Sequence, residues 1–436
     1  MKVENISFKH SLVQSQRLFF DSGGTRSIKS RKLLLKKLKE VIQSEEDAIN
    51  KALFKDLGKS TSETFLSEIG LVLTEIDYFL CHLTQLAQPK RIKSSLLNWP
   101  SRDYIIPEPY GVMLHISPWN YPFQLVFTPL IGAIAAGNTV AVKPSELAPH
   151  TSDCVENIIK LTFPAEWVTV VQGGPEVGKS LLTERWDFIM YTGGVQVAKI
   201  VATAAAKHLT PTLLELGGKN PCIVDKTARI KVAARRIVFG KFLNCGQTCI
   251  APDYVLVHTS VKDALVKAMI EAIEKSYGAD QSNSEDYGHI INDRHFERLT
   301  SLLKNQNINY GGHTNPKKRY IQPTLIELTD TNNPLMEEEI FGPILPILSY
   351  ENDTDLTTII EQYEKPLSFY VFSERKSWSK NIMRSYSYGG GIINDTLLQF
   401  TNRNLPFGGI GKSGTGAYHG KHSFYAFTHN KPYIKR

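Results

Sequence analysis

Hydrophobic positions change their period twice along this chain, and the changes divide it. Between residues 27 and 80 apolar side chains recur three and four apart. Leu33, Leu34, Leu38, Val41 and Ile42 predict one face of a helix. Ser44 followed by Asp47 reads as a capping box that opens a second helix through Ile49 and Leu53, with Gly58 ending it. Residues 86–104 interrupt the pattern with Pro89, Pro100 and several basic side chains, which predicts an excursion from the body as a strand arm. Short β-rich runs then follow at 112–116, 139–142, 168–171, 188–191 and 222–224, separated by helical stretches such as 195–208. Strands alternating with helices predict a parallel sheet with right-handed crossovers. The alternation resumes after Asp253 with a strand at 254–257 and a helix over 261–276, giving a second α/β unit over 215–395. The last 40 residues, rich in Gly, aromatics and Asn, predict loops and a strand wrapping back over another surface.

A length of 436 residues calls for roughly two or three domains. Apolar content of 42% and charged content of 21% are those of a soluble globular protein. The net charge of +7 is modest, and part of it lies in residues 401–436, which hold Lys and Arg but no Asp or Glu. No basic run is interleaved with aromatics, so the excess charge predicts solvated surface and no nucleic-acid partner. The five cysteines, Cys81, Cys154, Cys222, Cys245 and Cys249, are odd in number and scattered, which suits a reducing cytoplasm and no disulfide framework. Cys-x-x-Cys and His-x-x-x-His spacings are absent, so no metal is expected. The N-terminus lacks a signal peptide's apolar core, and the most apolar stretch, 123–136, is interrupted by Pro129 and Gly132 and is too short to span a bilayer. No apolar tail precedes Lys435-Arg436, so no membrane anchor is expected.

Two sets of motifs compete to explain the chemistry. Gly173-Gly-Pro-Glu-Val-Gly-Lys-Ser180 fits the P-loop pattern and follows a strand, and Asp225 could serve magnesium at a strand end, so a P-loop NTPase is one reading. Against it, Pro175 removes a backbone donor and Glu176 places a carboxylate where phosphate oxygens would lie. The dinucleotide fingerprint G-x-G-x-x-G occurs once, at Gly409-Ile-Gly-Lys-Ser-Gly414, with no βαβ unit after it. Tyr191-Thr-Gly-Gly194 closes a strand and opens a helix, whose free N–H groups and positive dipole end favour a pyrophosphate; a plain glycine turn explains it equally well. Lys143-Pro-Ser-Glu146 sits at another strand end, where Lys143 and Glu146 can hold a ribose. Asn244-Cys-Gly-Gln-Thr-Cys249 offers a candidate nucleophile in Cys249, set against the alternative of two ordinary buried cysteines. Glu215, between two leucines and before a glycine pair, is a candidate base, and Asn120 in Ser117-Pro-Trp-Asn-Tyr-Pro122 a candidate oxyanion donor. A strand-edge glutamate and a rigid turn are the structural alternatives.

Taken in order, these motifs resemble those of the aldehyde dehydrogenase family over nearly the whole chain. Glu338-Glu-Ile-Phe-Gly-Pro343 and Leu405-Pro-Phe-Gly-Gly409 extend the match. The segments Asn244-Cys-Gly-Gln-Thr-Cys-Ile-Ala-Pro-Asp-Tyr254 and Tyr418-His-Gly-Lys-His-Ser-Phe424 resemble the class 3 branch, whose members oxidise fatty and aromatic aldehydes, usually as dimers. The resemblance implies an α/β fold: a Rossmann-like NAD(P)-binding domain (1–85 and 105–214), a catalytic α/β domain (215–395), and a small β oligomerisation arm with the C-terminal segment (86–104 and 396–436). It implies that Cys249 attacks the aldehyde, that Asn120 and the Cys249 N–H hold the oxyanion, and that Glu215 activates water, with Glu339 as the second candidate base. Lys143, Glu146, Gly193, Gly194, Val195, Glu339 and Phe341 map to the cofactor, NAD in preference to NADP, although the branch uses both. Trp119, Tyr121 and Phe400 are candidates for an apolar substrate funnel. Gly194 stands where the family usually has serine, so a hydroxyl contact to pyrophosphate is missing. Cys245 raises the prospect of a protective disulfide with Cys249. A non-catalytic relative is disfavoured because Cys249, Glu215 and Asn120 are all present.

Overall fold

A computed structural model describes residues 2–436, with side chains described from Ser11 onward. Its first sheet has six strands in the order Gly414–Thr415, Thr212–Glu215, Phe188–Thr192, Val112–Ile116, Thr139–Lys143 and Val168–Val170. All pair in parallel except the two-residue Gly414–Thr415. Side chains alternate between two buried faces. Val112, Leu114, Ile189 and Tyr191 pack with Ala198, Val201 and Ala205 of the helix Val195–Ala206. Met113, Val140, Val142 and Met190 pack with the helices Ile28–Ser44, Gly70–Leu86, Gln124–Ala136 and Pro149–Thr162. Burial on both faces is why these strands read as continuous apolar runs.

The second sheet has seven strands, ordered Ile308–Tyr310, Thr324–Leu328, Ile344–Tyr350, Tyr254–His258, Pro221–Val224, Ser368–Phe372 and Gly390–Ile393. Only Ile308–Tyr310 runs antiparallel. The carboxyl ends of the first sheet face the amino ends of the second. Glu215 closes a strand of one, and Cys249 and Glu339 lie just before the strands Tyr254–His258 and Ile344–Tyr350 of the other. A third sheet of three antiparallel strands, Lys90–Ile92, Arg102–Pro109 and Thr428–Lys435, forms the arm. The register Thr428↔Pro109 to Lys435↔Arg102 carries the arm strand beyond residue 104, into the stretch expected to begin the cofactor domain.

Four local expectations are corrected. A helix over Lys2–Asp21 precedes the first one expected. In Ile28–Ser44, Leu38 and Ile42 are buried and Leu34 and Val41 pack against the same core as expected, but Leu33 is 67% exposed and the face is completed by Leu35 and Arg31. The buried Arg31 bonds the carbonyls of Thr25 and Ala135. Ser44 does not cap the second helix: its hydroxyl bonds Val41 O at 2.9 Å, and the chain turns through Glu45 into Glu46–Leu57 with no side-chain cap. The later part of the helical stretch 27–80 is interrupted by a five-residue π turn, Phe65–Ile69, between Thr61–Thr64 and Gly70–Leu86. Such turns concentrate at functional sites, and this one buries Ser67 and Glu68 while Leu66 stays 56% exposed.

Candidate active site

The segment carrying Cys249 starts with a sharp bend. After the helix Ile230–Phe242, Asn244 (φ 52°), Cys245 (φ 53°) and Gly246 (φ 72°) follow one another in the left-handed region. That conformation costs a side-chain-bearing residue roughly 1–2 kcal/mol. At Gly246 a Cβ would also lie 2.3 Å from the Gly342 carbonyl oxygen, so glycine is required there. Hydrogen bonds hold the bend. Asn244 N–H donates to Glu63 Oε1 at 2.9 Å, and Asn244 Nδ2 donates to the Asn120 carbonyl at 2.7 Å. Gln247 reaches the other way, donating to His289 O (3.1 Å) and accepting from Ile291 N (3.0 Å). The chain then presents Cys249, whose sulfur receives the N–H groups of Cys249 and Ile250.

Cys249 opens into a cavity of about 120 Å³ shared with Glu215, Tyr121, Phe400, Thr192 and Tyr418. The rest of its lining is mostly apolar. Glu215 is 1% exposed and neither carboxylate oxygen has a partner. Burial pushes its pKa well above the usual carboxylate range. The Thr192 Oγ1 and the Tyr418 hydroxyl are also buried and unpartnered. Tyr121 bonds Thr248 Oγ1 at 2.6 Å. Asn120 is 3% exposed and anchored on both sides: Nδ2 donates one N–H to Gln247 O at 3.0 Å, and its carbonyl accepts from Asn244 and from Lys59 Nζ (3.2 Å). A second amide N–H remains for another acceptor. The thiol is not pre-ionised. Burial, then the charges of Glu339 and Glu215, raise its pKa despite the two N–H groups at sulfur.

Lys143, Glu146, Gly193, Gly194 and Val195 sit along the carboxyl ends of the first sheet, and Glu339 and Phe341 in the turn before Ile344–Tyr350 of the second. Lys143 Nζ donates to Glu146 Oε2 at 2.9 Å and to Pro144 O at 3.1 Å. Gly194 caps the helix Val195–Ala206 with no side-chain cap, and a Cβ placed on it would meet nothing within 4 Å. Gly193 N–H donates to Glu215 O at 2.9 Å, tying this turn to the cavity strand. Val197 and Ile200 of the same helix are 47% and 52% exposed. An open helix N-terminus beside apolar surface and a ribose-sized polar pair fits a dinucleotide. Glu339 accepts the Gly218 N–H and lies against Gly217, where a Cβ would come within 2.3 Å of its carboxylate. Burial, then Asp253, raises Glu339 to about 8. Phe341 (φ 50°) meets Trp119 edge-on at 5.3 Å, and Trp119 also leans on His295 at 5.0 Å. Trp119 thus backs the Phe341 ring and is not among the residues lining the Cys249 cavity, whereas Tyr121 and Phe400 are. Lys219, bonded to Asp253 (2.5 Å), Leu335 O (2.9 Å) and Glu338 O (3.1 Å), braces the Glu339–Phe341 turn.

The competing motifs are structural. Gly174 starts the short helix Pro175–Leu181, and Lys179 pairs at the surface with Glu176 at 2.7 Å within that helix. The lysine that a P-loop would aim at phosphates is engaged elsewhere. Gly409-Ile-Gly-Lys-Ser-Gly414 leads into the strand Gly414–Thr415, not into a helix. Cys245 packs in the second sheet's core with its thiol bonded to Tyr287, while Cys249 belongs to the separate cluster of Ile250, Leu367 and Leu397. That separation gives the pairing of Cys245 with Cys249 no support. Among the described residues no group of His, Cys, Asp and Glu is placed to hold a metal. Sequence reasoning misses Tyr418, the Leu66-Ser67 wall and Lys59. Of these, only Tyr418 stands in a segment that resembles the family.

Comparisons with known proteins agree with this geometry. The family described as the aldehyde dehydrogenase family matches residues 11–432. The chain is 48% identical over 420 residues to the 4,4'-diaponeurosporen-aldehyde dehydrogenase of Staphylococcus aureus, covering 96% of this chain and 92% of that one. It is 44% identical to the "aldehyde dehydrogenase, dimeric NADP-preferring" of Rattus norvegicus, with 96% and 92% covered. A solved structure of the substrate-bound state of Staphylococcus aureus AldH superposes with a TM-score of 0.96 at 47% identity, covering 98% of this chain and 94% of that one. A match of this extent, over a fold that brings Cys249 and Glu215 into one cavity, shows that the chain belongs to the aldehyde dehydrogenase family.

Proposed function

We propose that Cys249 is the nucleophile, Asn120 and the Cys249 N–H the oxyanion donors, and Glu215 the base, in the oxidation of apolar aldehydes, medium- or long-chain aliphatic or aromatic, to carboxylic acids. The observation that carries this reading is one apolar cavity holding both the Cys249 thiol and a buried glutamate with two unpartnered oxygens. As Cys249 attacks the carbonyl carbon, its thiol proton leaves to solvent. Glu215, its charged form disfavoured by burial, is a strong base for a carboxylate and is kept for activating water. As sulfur bonds to carbon, the carbonyl oxygen gains charge and meets the free N–H of Asn120 and the Cys249 N–H. One such donor is typically worth about 3 kcal/mol. When bound, NAD(P) supplies the hydride acceptor that turns the adduct into a thioester. Glu215, Thr192 and Tyr418 then present unpartnered polar atoms around the site where water must attack. Water adds to the thioester carbon as its proton passes to Glu215; the carbon–sulfur bond then breaks, Glu215 returns the proton to the sulfur, and the acid leaves. Glu339 is the weaker candidate base because the Gly218 N–H holds its carboxylate.

Lys143, Glu146, Gly193, Gly194, Val195, Glu339 and Phe341 are proposed to hold the dinucleotide. Glu146 faces the adenosine ribose in this reading and disfavours a 2′-phosphate by like-charge repulsion, so NAD is preferred. Five free thiols suit a reducing compartment such as the cytoplasm. Among the described residues no helix is long and apolar enough to cross a membrane. The Cys249→Ala variant, assayed with NAD and with NADP over aldehydes graded by chain length, should form no reduced cofactor. Retained turnover would remove Cys249 from the mechanism.

A further inference from the structure

We propose that Arg403 and Glu75 are positioning residues that set the width of the aldehyde funnel and so decide how well bulky aldehydes bind. The proposal rests on the reading of the Cys249 cavity as the aldehyde site.

Two walls bound that cavity on its outer side. One is the π turn and the start of the next helix, contributing Leu66, Ser67 and Leu71. The other is the irregular segment contributing Leu397, Leu398, Phe400 and Thr401. Leu66 and Leu398 are 56% and 48% exposed, which places the entrance between them. The second wall is a single 3-10 turn, Leu398–Thr401, whose backbone bonds are local. Gln399 ties it inward to Ser368 and Tyr370. Arg403, two residues beyond Thr401, carries the link across to the first wall. Its Nε donates to Glu75 Oε2 at 3.0 Å, its Nη2 to the Leu71 carbonyl at 2.9 Å, and its Nη1 toward the Thr401 carbonyl at 3.4 Å. Glu75 Oε1 accepts the Gly420 N–H at 2.9 Å, two residues after the cavity-lining Tyr418. One guanidinium and one carboxylate therefore join all three segments around the funnel.

The pair is nearly dry, with Glu75 fully buried and the Arg403 side chain 13% exposed. A planar guanidinium holds three carbonyl and carboxylate acceptors in fixed geometry, which a lysine cannot do. Neither residue lines the cavity, so their effect is on wall position, not on the reacting atoms. A long aldehyde needs both walls, whereas a short one reaches Cys249 with little contact to either.

The test compares kcat and KM for propanal and decanal in the wild-type enzyme and in Arg403→Leu and Arg403→Lys, alongside thiol titration of Cys249. Losing the contact of about two methylenes with a displaced wall corresponds to about tenfold. Arg403→Leu should raise KM for decanal by about that factor while kcat and KM for propanal stay within about twofold. Arg403→Lys should fall between, since it keeps the charge and gives up the fork. Equal losses on both aldehydes, or no change on either, would overturn the proposal. A wild-type enzyme that oxidises neither aldehyde with a titratable Cys249 would instead overturn the reading of the cavity, and this proposal with it. Should Arg403→Leu fail to fold, Glu75→Gln, which keeps the shape and an acceptor, takes its place. A KM rise confined to decanal then supports the proposal, and equal losses or no change overturn it.

Discussion

At the scale of single residues, chemistry depends on where charge is refused. Burial raises Glu215 well above the usual carboxylate range and Glu339 to about 8, so both keep a proton to higher pH than in the unfolded chain, while it lowers His115 and His295 to about 4. The histidines take up a proton more readily when unfolded, so their contribution to stability grows as pH rises toward 6.5. From there to pH 8 the sign reverses. The folded chain still holds glutamate protons that the unfolded chain has lost, so stability should fall as pH rises. One proton corresponds to at most ~1.4 kcal/mol per pH unit. Urea unfolding at pH 6.5 and pH 8 should show that decline, smaller in Glu215→Gln. A flat or rising profile, or no difference in the variant, would contradict the burial argument. Cys249, Glu215 and Asn120 are legible in the sequence as candidates because each stands in a motif with a chemical reason, and the fold brings the first two into one cavity. Tyr418 is not, because an unpartnered hydroxyl is a property of the packed cavity. Trp119 is legible as an aromatic but not as the support of Phe341, since that contact spans two distant segments.

At the scale of elements, the strands of the first sheet are legible because burial on both faces leaves continuous apolar runs. The π turn Phe65–Ile69 is not, because its cause is remote. Glu68, on that turn, accepts the N–H groups of Phe123 (3.2 Å) and Gln124 (2.7 Å), capping the helix Gln124–Ala136 from outside. Lys59 completes the brace: its ammonium meets Glu68 at 2.5 Å, donates to Asn120 O, and lies 4.0 Å over the Tyr121 ring. Both side chains of the ion pair are fully buried. Removing one partner of such a pair typically costs ~3–5 kcal/mol because the other charge is left alone. Lys59→Met should lose stability on that scale in urea unfolding and slow turnover by loosening Asn120. A loss under about 1 kcal/mol would show the brace to be dispensable. Leu33 fails as a sequence signal because the buried Arg31, bonded to Ala135 O, occupies the inward face in its place, and Ser44 fails because its hydroxyl turns back to Val41 O.

At the scale of the whole molecule, two sheets meet end to end across the site and a third forms an arm with an exposed outer strand. We infer a homodimer built on that arm. The strand Thr428–Lys435 has one paired edge and is exposed along nearly its whole length, and Gly390–Ile393 is likewise an edge of the large sheet. Unpaired edges are templates for another chain. Leu96, Leu97 and Trp99, each at least 80% exposed, add apolar area on the arm. Sedimentation should find a dimer that Leu97→Asp with Trp99→Asp converts to monomer; a wild-type monomer, or an unaltered dimer in the variant, would refute this. The alternation of strands and helices makes the two α/β units readable, but their mutual placement is not, because it is fixed by single bonds such as Asn120 to Gln247 O across 127 residues. The central claim is that this placement joins a nucleophile to a water-activating base. It is tested most directly in Glu215→Gln, mixed with aldehyde and NAD, quenched, and analysed by peptide mass spectrometry. An acyl group should accumulate on Cys249 after one equivalent of NADH has formed; an unmodified Cys249, or an acyl group on another residue, would contradict the account.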